Sequence, residues 1–234
     1  MNSKYRRHAP TIGPAGGFTL LEILVAIFIF AIVITAVFGS FRAVFSSTNA
    51  VSADEAEYAA ARTCLQRMAR DLDAMYITRD TFYSKPKFNG TKDPYRVVGD
   101  TTDVAGSSFG RLRFASLAHL RLNQDPREGV CRIVYYVQRR ADGSLVLRRS
   151  DHLYPFPDFE ESEDDPILCD HILSLEFAYM DAKGDMNDRW DSESADDEYA
   201  TPQLIEIRMT VGQPSRPIPF TTRIALHVHR EPTE

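Results

Sequence analysis

An apolar run near the N-terminus constrains this chain most, because no residue in the range 23–41 carries a charge. At about 1.5 Å per helical residue the run spans roughly 28 Å, close to the roughly 30 Å hydrocarbon core of a membrane. It is longer than the apolar region of a typical secretory signal peptide, which has about 7–15 residues. The run therefore predicts a helix that crosses a membrane once, with the rest of the chain folding outside the lipid.

A basic leader precedes the apolar run. Residues 1–17 contain Lys4, Arg6 and Arg7 and no acidic residue. Basic residues next to a span favour the cytoplasmic side. The N-terminus is therefore expected to stay in the cytoplasm while the residues after the span cross the membrane.

One carboxylate, Glu22, lies at the start of the apolar run. At the bilayer centre a charged side chain costs about 2.5–3.5 kcal/mol on insertion scales. The cost is lower near a helix start, where the helix dipole favours a carboxylate. A plain single-span anchor and an ordinary cleaved secretory signal are the alternative interpretations, and neither explains the acid. Glu22 is therefore a candidate functional residue.

The sequence GGFTLLEILVA, residues 16–26, resembles the signature of type IV prepilins, which pilins share with the pseudopilins of type II secretion. The resemblance implies that a prepilin peptidase/methyltransferase cleaves between Gly17 and Phe18 and methylates Phe18. It makes Glu22 the fifth residue of the mature chain. We expect this carboxylate to pair with the Phe18 amine of a neighbouring subunit during assembly, because paired charges are better tolerated in lipid than single ones.

Helical periodicity continues beyond the apolar run. Apolar or small residues recur in steps of three and four at Tyr58, Ala61, Leu65, Met68, Leu72 and Met75. This pattern is typical of an amphipathic helix that packs on a protein core. Coiled-coil pairing is the alternative, but the stripe is too short for three to four clean heptads. We therefore predict one long helix, with a transmembrane half over residues 18–45 and an amphipathic half over residues 46–76.

The remaining residues, 77–234, are expected to form a globular head. Alternating or apolar segments predict strands at residues 95–99, 111–117, 131–139, 145–149, 172–180, 204–211 and 220–230. Asp142 and Gly143 predict the turn of a hairpin. A long helix followed by these strands predicts an α+β fold with the helix packed on a mostly antiparallel sheet, and the prepilin resemblance implies its pilin-like form.

A polar segment at residues 181–202 interrupts the strands. It contains five candidate oxygen ligands for calcium: Asp181, Asp185, Asn187, Asp188 and Asp191. Their spacing does not fit the EF-hand loop. A solvated acidic turn is therefore the simpler interpretation and calcium is the alternative, and no other cofactor is expected.

The same segment resembles the tail of the minor pseudopilin J family of type II secretion systems. The resemblance rests on an aromatic strand that ends at Asp181, followed by Gly184, Trp190 and Pro202, and on the helix end LQRMARDLDAM at residues 65–75. A minor type IV pilin that serves pilus assembly or DNA uptake is the alternative. Glu22 counts against the K-type minor pseudopilin, which characteristically lacks that acid.

The resemblance to the J family implies a structural subunit and not an enzyme. It implies a single span in the bacterial inner membrane, with the N-terminus cytoplasmic and the head periplasmic, and later entry into a pseudopilus. The implied partners are the I-, K- and H-type minor pseudopilins, the major pseudopilin, the inner-membrane assembly platform and inner-membrane lipid. The tip complex that these minor subunits form is expected to initiate assembly and to support export of folded proteins.

Other functions find little support in the sequence. The net charge of −6 argues against a nucleic-acid partner, because binding phosphates requires a basic face. A membrane-anchored periplasmic enzyme is a further alternative, but no nucleophile, phosphate-binding or zinc-protease motif is present.

The sequence leaves the pairing of the three cysteines open and places two histidines close together near the C-terminus. Cys131 and Cys169 lie on or beside predicted strands, so a disulfide between them is an open assignment, whereas Cys64 on the helix stripe is expected to be a small packed residue. His227 and His229 are expected to share one face of the last strand, as part of a polar strand face.

Overall fold

The computed structural model describes residues 19–79, 81–86, 90–120 and 127–232, with side chains described outside residues 42–54. Gly17 and Phe18, the predicted cleavage and methylation site, lie outside the described residues. The chain divides into two compact units, Met1–Ser52 and Ala53–Glu234.

One long helix, α1, runs from Leu20 to Asp73 and continues from the first unit into the second. The predicted helix extended to residue 76, but the structure ends it earlier. The last turn closes with a bond from the Ala74 N–H to the Arg70 carbonyl, 3.2 Å long. Met75 and Tyr76 then pair with a strand, so they no longer follow the helical path.

Eleven strands follow within the described residues: β1 (Met75–Tyr76), β2 (Val98–Val104), β3 (Ser107–Ser116), β4 (Cys131–Arg139), β5 (Leu145–Leu153), β6 (Ile167–Cys169), β7 (Ile172–Met180), β8 (Met186–Asn187), β9 (Trp190–Asp191), β10 (Leu204–Gln213) and β11 (Arg216–Ala225). The larger sheet has the order β6-β5-β4-β3-β2-β9, with β1 also paired to β3, and the smaller sheet has the order β11-β10-β7-β8. Every pairing between these strands is antiparallel. The predicted α+β fold with an antiparallel sheet is therefore confirmed.

The apolar stripe predicted for the amphipathic half of the helix is the side that packs into the core of the second unit. Ala61, Cys64, Met68 and Leu72 are buried in one cluster with residues of both sheets. Tyr58, predicted to begin the stripe, is half exposed and instead contacts the ring of Phe220 at 5.2 Å between centroids.

The two sheets approach each other closely where β2 and β3 meet β7, and glycines make this approach feasible. A Cβ at Gly99 would lie 1.9 Å from the Tyr179 hydroxyl oxygen, and a Cβ at Gly110 would lie 2.8 Å from the Phe177 ring. Such distances are far below van der Waals contact. A side chain at either position would therefore push the sheets apart.

The β4–β5 hairpin forms as predicted, with β5 longer than expected. The Asp142 carboxylate accepts a bond from the Ser144 N–H at 2.8 Å, and Gly143 has a φ of 87°. Glycine tolerates this left-handed conformation better than other residues. The turn therefore fixes the register that pairs Arg139 with Leu145.

Three strand predictions had the wrong bounds: the strands predicted at residues 95–99, 111–117 and 220–230 are Val98–Val104, Ser107–Ser116 and Arg216–Ala225. The strand predicted from residue 95 begins at Val98, because the Val97 N–H donates to the Ser192 hydroxyl at 2.9 Å instead of joining a ladder. The last strand ends at Ala225, so His227 and His229 do not share a strand face and are exposed. Beyond Ala225 the chain turns so that buried Arg230 donates to the carbonyls of Tyr199 and Ser192.

Candidate assembly site

The span at the start of α1 is exposed along its whole length. Leu20–Phe41 has a mean hydropathy of 3.0, and none of it is buried. The polar side chains Thr35 and Ser40 bond to carbonyls of the helix, those of Ala31 at 2.7 Å and Ala36 at 3.0 Å. With their hydroxyls satisfied by the backbone, both residues are compatible with a lipid environment.

Thr19 and Glu22 form a reciprocal pair at the start of this helix. Oε2 of Glu22 accepts hydrogen bonds from the N–H and the hydroxyl of Thr19, each 3.1 Å long. The Glu22 N–H donates in return to Oγ1 of Thr19 at 3.2 Å. This arrangement is a capping box, which satisfies backbone N–H groups that a helix start leaves without partners. Glu22 thus has a role within its own chain besides the proposed pairing with a neighbour.

Asp181 and Gly184, two of the residues that carried the resemblance to the J family, form the turn between β7 and β8. The Asp181 carboxylate accepts bonds from the N–H groups of Lys183 at 2.8 Å and Asp185 at 2.9 Å. Gly184 has a φ of 90°, which favours glycine. The pair therefore sets the geometry of a tight turn.

Trp190 and Pro202 are the other two residues that carried the resemblance, and both are buried. Trp190 lies on β9 and pairs with Gly99 of β2, while its indole N–H donates to the Ala200 carbonyl at 3.1 Å. Its ring also contacts Tyr179 of the smaller sheet. Trp190 therefore joins the polar segment to both sheets.

The five candidate calcium ligands occupy different surroundings. Asp185, Asn187 and Asp188 are exposed, and the Asp181 carboxylate bonds to backbone N–H groups. Asp191 contacts Lys92 at 3.0 Å and Arg96 at 3.7 Å. Among the described residues, the four aspartates do not form a cluster of three ligand atoms close enough for one metal ion. Calcium binding stays the alternative to a solvated acidic turn, and calorimetric titration would decide between them.

A network of buried charges fastens the end of α1 to the larger sheet. We call Arg67, Asp71, Tyr135, Arg149 and Asp151 the buried ion network. Asp71 and Arg149 are fully buried, with Arg149 Nε 2.7 Å from Asp71 Oδ2 and Nη1 2.6 Å from Asp151 Oδ2. Arg67 lies 2.6 Å from Asp71, and the Tyr135 hydroxyl also donates to Asp71. Each charge therefore has an opposite partner, as buried charges require.

His119, Cys131 and Asp151 lie beside this network, with ligand atoms within 4.8 Å of one another. The atoms are already engaged in bonds within the protein. His119 Nδ1 is 2.7 Å from Asp151, and the Cys131 thiol donates to the Ser116 carbonyl at 3.2 Å. Burial raises the pKa of Cys131 to about 12, so its thiol stays protonated at neutral pH. These three residues thus extend a structural network.

Comparison with known protein families finds one match for the N-terminal segment and another for most of the remaining chain. The family model of type II secretion system protein J matches residues 39–216, and the model of the prokaryotic N-terminal methylation motif matches residues 14–38. A search of curated proteins finds no match.

The chain belongs to the type II secretion system protein J family.

Membership of the J family confirms the resemblance found in the sequence. The matched range includes Asp181, Gly184, Trp190 and Pro202, as well as the buried ion network. The family is one of structural pseudopilins, which assemble with other pseudopilins of the secretion system. The methylation motif and the exposed apolar helix together indicate single-pass anchoring in a membrane.

The J-family head also carries a surface that sequence reasoning missed. Tyr76, Tyr95, Tyr154 and Phe156 form a cluster, which we call the aromatic surface. Tyr95 lies 4.8 Å from Tyr76, 6.2 Å from Tyr154 and 6.0 Å from Phe156, measured between ring centroids. Tyr154 is 57% exposed. The residues come from three separate segments, so no local sequence pattern could have revealed the cluster.

Proposed function

We propose that this J-family protein is a minor pseudopilin of the tip complex of a type II secretion pseudopilus. In this role it helps to initiate pseudopilus assembly and supports export of folded proteins. The observation that carries the proposal is an exposed apolar helix that opens with a capped carboxylate and belongs to the same chain as a β-rich J-type head.

The proposed location is the bacterial inner membrane, with the head in the periplasm. The basic leader residues Lys4, Arg6 and Arg7 support a cytoplasmic N-terminus. The prepilin peptidase/methyltransferase would then cut between Gly17 and Phe18 and methylate the amine of Phe18. The mature subunit would wait in the lipid until the assembly platform adds it to the pseudopilus.

The proposed assembly contact joins Glu22 of one subunit to the Phe18 amine of another. A free α-amine ordinarily titrates at about pH 7.7–8.0 and is largely cationic at neutral pH. In the described chain, both hydrogen bonds that the Glu22 carboxylate accepts from Thr19 use Oε2, and the third bond is donated by the Glu22 N–H, so Oε1 takes no part in the capping box. The capping box would hold the carboxylate in place at the helix start while Oε1 accepts the incoming amine.

We infer that the head contacts the I- and K-type heads through the aromatic surface, with the H-type subunit and the major pseudopilin further along the assembly. Tyrosines are enriched at protein interfaces because they combine large apolar area with a polar group. Tyr154 is well exposed, and the Arg132 guanidinium lies 5.3 Å from the Phe156 ring centroid. The surface therefore combines aromatic rings with a positive charge.

Co-purification tests the proposed function. The full chain is produced with the I- and K-type pseudopilins of the same organism, extracted in detergent and isolated by a tag on the chain. We expect both partners to co-purify, and their absence would contradict the tip-complex role.

A double Tyr95→Ala and Tyr154→Ala variant then tests the aromatic surface. We expect recovery of the partners to fall about tenfold or more, since truncating a hot-spot residue costs about 2 kcal/mol or more and hot spots are enriched in tyrosine. Phe82→Ala is the control, because Phe82 is an exposed aromatic residue outside the cluster. Equal losses in both variants would show that the aromatic surface has no specific role.

A further inference from the structure

The segment at residues 154–166 lies across one face of the larger sheet and is fixed there by several contacts. The ring of Phe159 lies 5.2 Å from that of Tyr136 on β4, measured between centroids. Arg148 of β5 donates through Nη1 to the Glu163 carbonyl at 2.9 Å. The space between this segment and the sheet is therefore preformed.

A cavity of about 310 Å³ occupies part of this space. Arg113 of β3 lines it between two valines, because Arg113 pairs with Val98 of β2 on one side and with Val134 of β4 on the other. Phe159 of the covering segment also lines the cavity. The cavity thus combines apolar walls with a guanidinium.

The guanidinium of Arg113 lacks a counter-charge of its own. Within the part of the chain that the structure describes, its side chain is partly buried and makes no hydrogen bond or ion pair. Arg111 beside it is satisfied, because its Nε and Nη2 each lie 2.8 Å from a carboxylate oxygen of Asp100. Asp158, the other acid that lines the cavity, is exposed and forms no ion pair with Arg113 among the described residues.

The charges around Arg113 leave the site positive. Burial lowers the pKa of Arg113, and so do the nearby charges of Arg96 and Arg132. The carboxylates of Asp100 and Asp191 oppose this effect without reversing it. Because an arginine keeps its charge in proteins and a partly buried charge is costly until it is paired, the site would gain from an added anion.

The cavity borders the aromatic surface. Arg132 of β4 pairs with Ala115, which lies two residues after Arg113 on β3. The Arg132 guanidinium lies 5.3 Å from the ring centroid of Phe156, a member of the aromatic surface. Asp158 at the cavity follows Phe156 by two residues. A partner that covers the aromatic surface would therefore reach the mouth of the cavity.

We propose that this cavity binds the carboxylate side chain of an aspartate or glutamate on a partner head. The inference rests on the proposed function, because the partner is the I- or K-type head that contacts the neighbouring aromatic surface. A guanidinium binds a carboxylate through two parallel N–H···O bonds, and the apolar walls accommodate the aliphatic stem of the side chain. Ligand pockets have volumes of about 300–1,000 Å³, so this cavity has room for one side chain.

Cross-linking tests the site in the assembled complex. Arg113→Lys keeps the positive charge and supplies an amine, which a carbodiimide joins to a carboxylate in contact with it. The variant is produced with the I- and K-type pseudopilins, isolated in detergent and treated, and mass spectrometry identifies the linked peptides. We expect a link from position 113 to an aspartate or glutamate of a partner. A link only to Asp100 or Asp158 of the same chain, or no link, overturns the proposal.

Neutralising the charge separates binding from folding. We expect Arg113→Gln to reduce recovery of the partners about tenfold or more, because removing one member of a buried charge pair weakens binding strongly. The same substitution should leave the urea midpoint of the isolated chain unchanged, because Arg113 has no partner to lose there. Arg189→Gln is the matched control, since Arg189 is exposed and does not line the cavity. Equal recovery of the two variants overturns the proposal.

Protection by a small probe distinguishes this inference from the proposed function. Phenylglyoxal modifies arginines of the full chain alone in detergent, and mass spectrometry follows Arg113. N-acetylglutamate α-amide, which presents one side-chain carboxylate, should slow modification of Arg113 but not of Arg189. The neutral N-acetylglutamine α-amide should slow neither, and equal rates with the two probes overturn the proposal. Protection in a chain that recovers no partner would refute the proposed function, while the carboxylate site would stand.

Discussion

At the scale of residues, Glu22 caps its own helix, and the proposed function gives its carboxylate a second task. In the described chain Oε2 caps the helix through Thr19, and in the proposed assembly Oε1 accepts the amine of the next subunit. The two tasks differ in what they require. Capping requires a hydrogen-bond acceptor, which glutamine also provides, whereas pairing with an amine requires negative charge.

Substitutions at Glu22 and Thr19 separate capping from pairing. We expect Glu22→Ala and Glu22→Gln to be cleaved normally but to enter the pseudopilus about tenfold less or worse, because both remove the charge that balances the amine. Thr19→Ala keeps the charge of Glu22, so its entry into the pseudopilus should fall much less than that of the two Glu22 variants. Immunoblots of processed chain and of sheared pseudopili measure the two steps. Wild-type incorporation of Glu22→Gln would refute charge pairing.

Asp71 illustrates how one residue supports the whole helix end. It is fully buried and is bonded to Arg67, Tyr135 and Arg149. Breaking a buried ion pair by removing one partner typically costs about 3–5 kcal/mol, because the other charge stays buried without compensation.

Asp71→Ala is therefore expected to lower the free energy of unfolding by about 3–5 kcal/mol. Urea unfolding of the purified chain, followed by the fluorescence of its single tryptophan, Trp190, measures the change. Asp73→Ala is the matched control, because Asp73 lies two residues away and is exposed. Equal effects of the two substitutions would contradict the role of the buried ion network.

At the scale of elements, the stability that the contact between α1 and β5 contributes should depend on pH. Asp151 of β5 titrates beside Arg149, and Arg149 is paired with Asp71 of α1. Burial would raise the pKa of this carboxyl, but the Arg149 charge and the bonds from Leu120 and His119 outweigh burial and lower it. A lowered pKa in the folded state means that the unfolded chain takes up the proton first as the pH falls. The contribution to stability is therefore complete above about pH 4 and is lost below it.

Urea unfolding at a series of pH values tests this dependence. We expect the midpoint of wild type to fall as the pH drops from about 4 to 3, and the fall to be smaller in Asp151→Asn, which cannot titrate. An identical pH profile in the two proteins would show that Asp151 does not contribute to the pH dependence of stability.

Elements with strong local patterns could be predicted from the sequence. The alternation in β7 gave its bounds, Ile172–Met180, to the residue, and Asp142 with Gly143 placed the β4–β5 turn. The start of β2 was wrong because the Val97 N–H bonds to Ser192, far away in the sequence. Such long-range bonds follow from packing and leave no periodic signal.

The candidate assembly site likewise includes features that the sequence predicted and features that only the fold shows. Glu22 stands out because charge is rare in an apolar run, so sequence alone identified it. The T-x-x-E pattern of its capping box was also present in the sequence, at Thr19, and was overlooked. The aromatic surface joins distant segments, so only the fold reveals it.

At the scale of the whole molecule, the proposed function makes the span an essential part of the protein's action and not merely an anchor. A periplasmic enzyme would keep its activity as a soluble head, whereas a pseudopilin requires its helix to enter a fibre. The head of the J-family chain is a compact unit, Ala53–Glu234, so the two alternatives can be separated by expressing it without the first unit.

Secretion in cells that lack this chain is the most direct measurement of the central claim. The cells receive the full chain, or residues 53–234 exported behind a cleavable signal, and the amount of folded cargo in the medium is determined. We predict that the full chain restores secretion and that the head alone, although present in the periplasm, does not. Restored secretion with the head alone would contradict the proposed function.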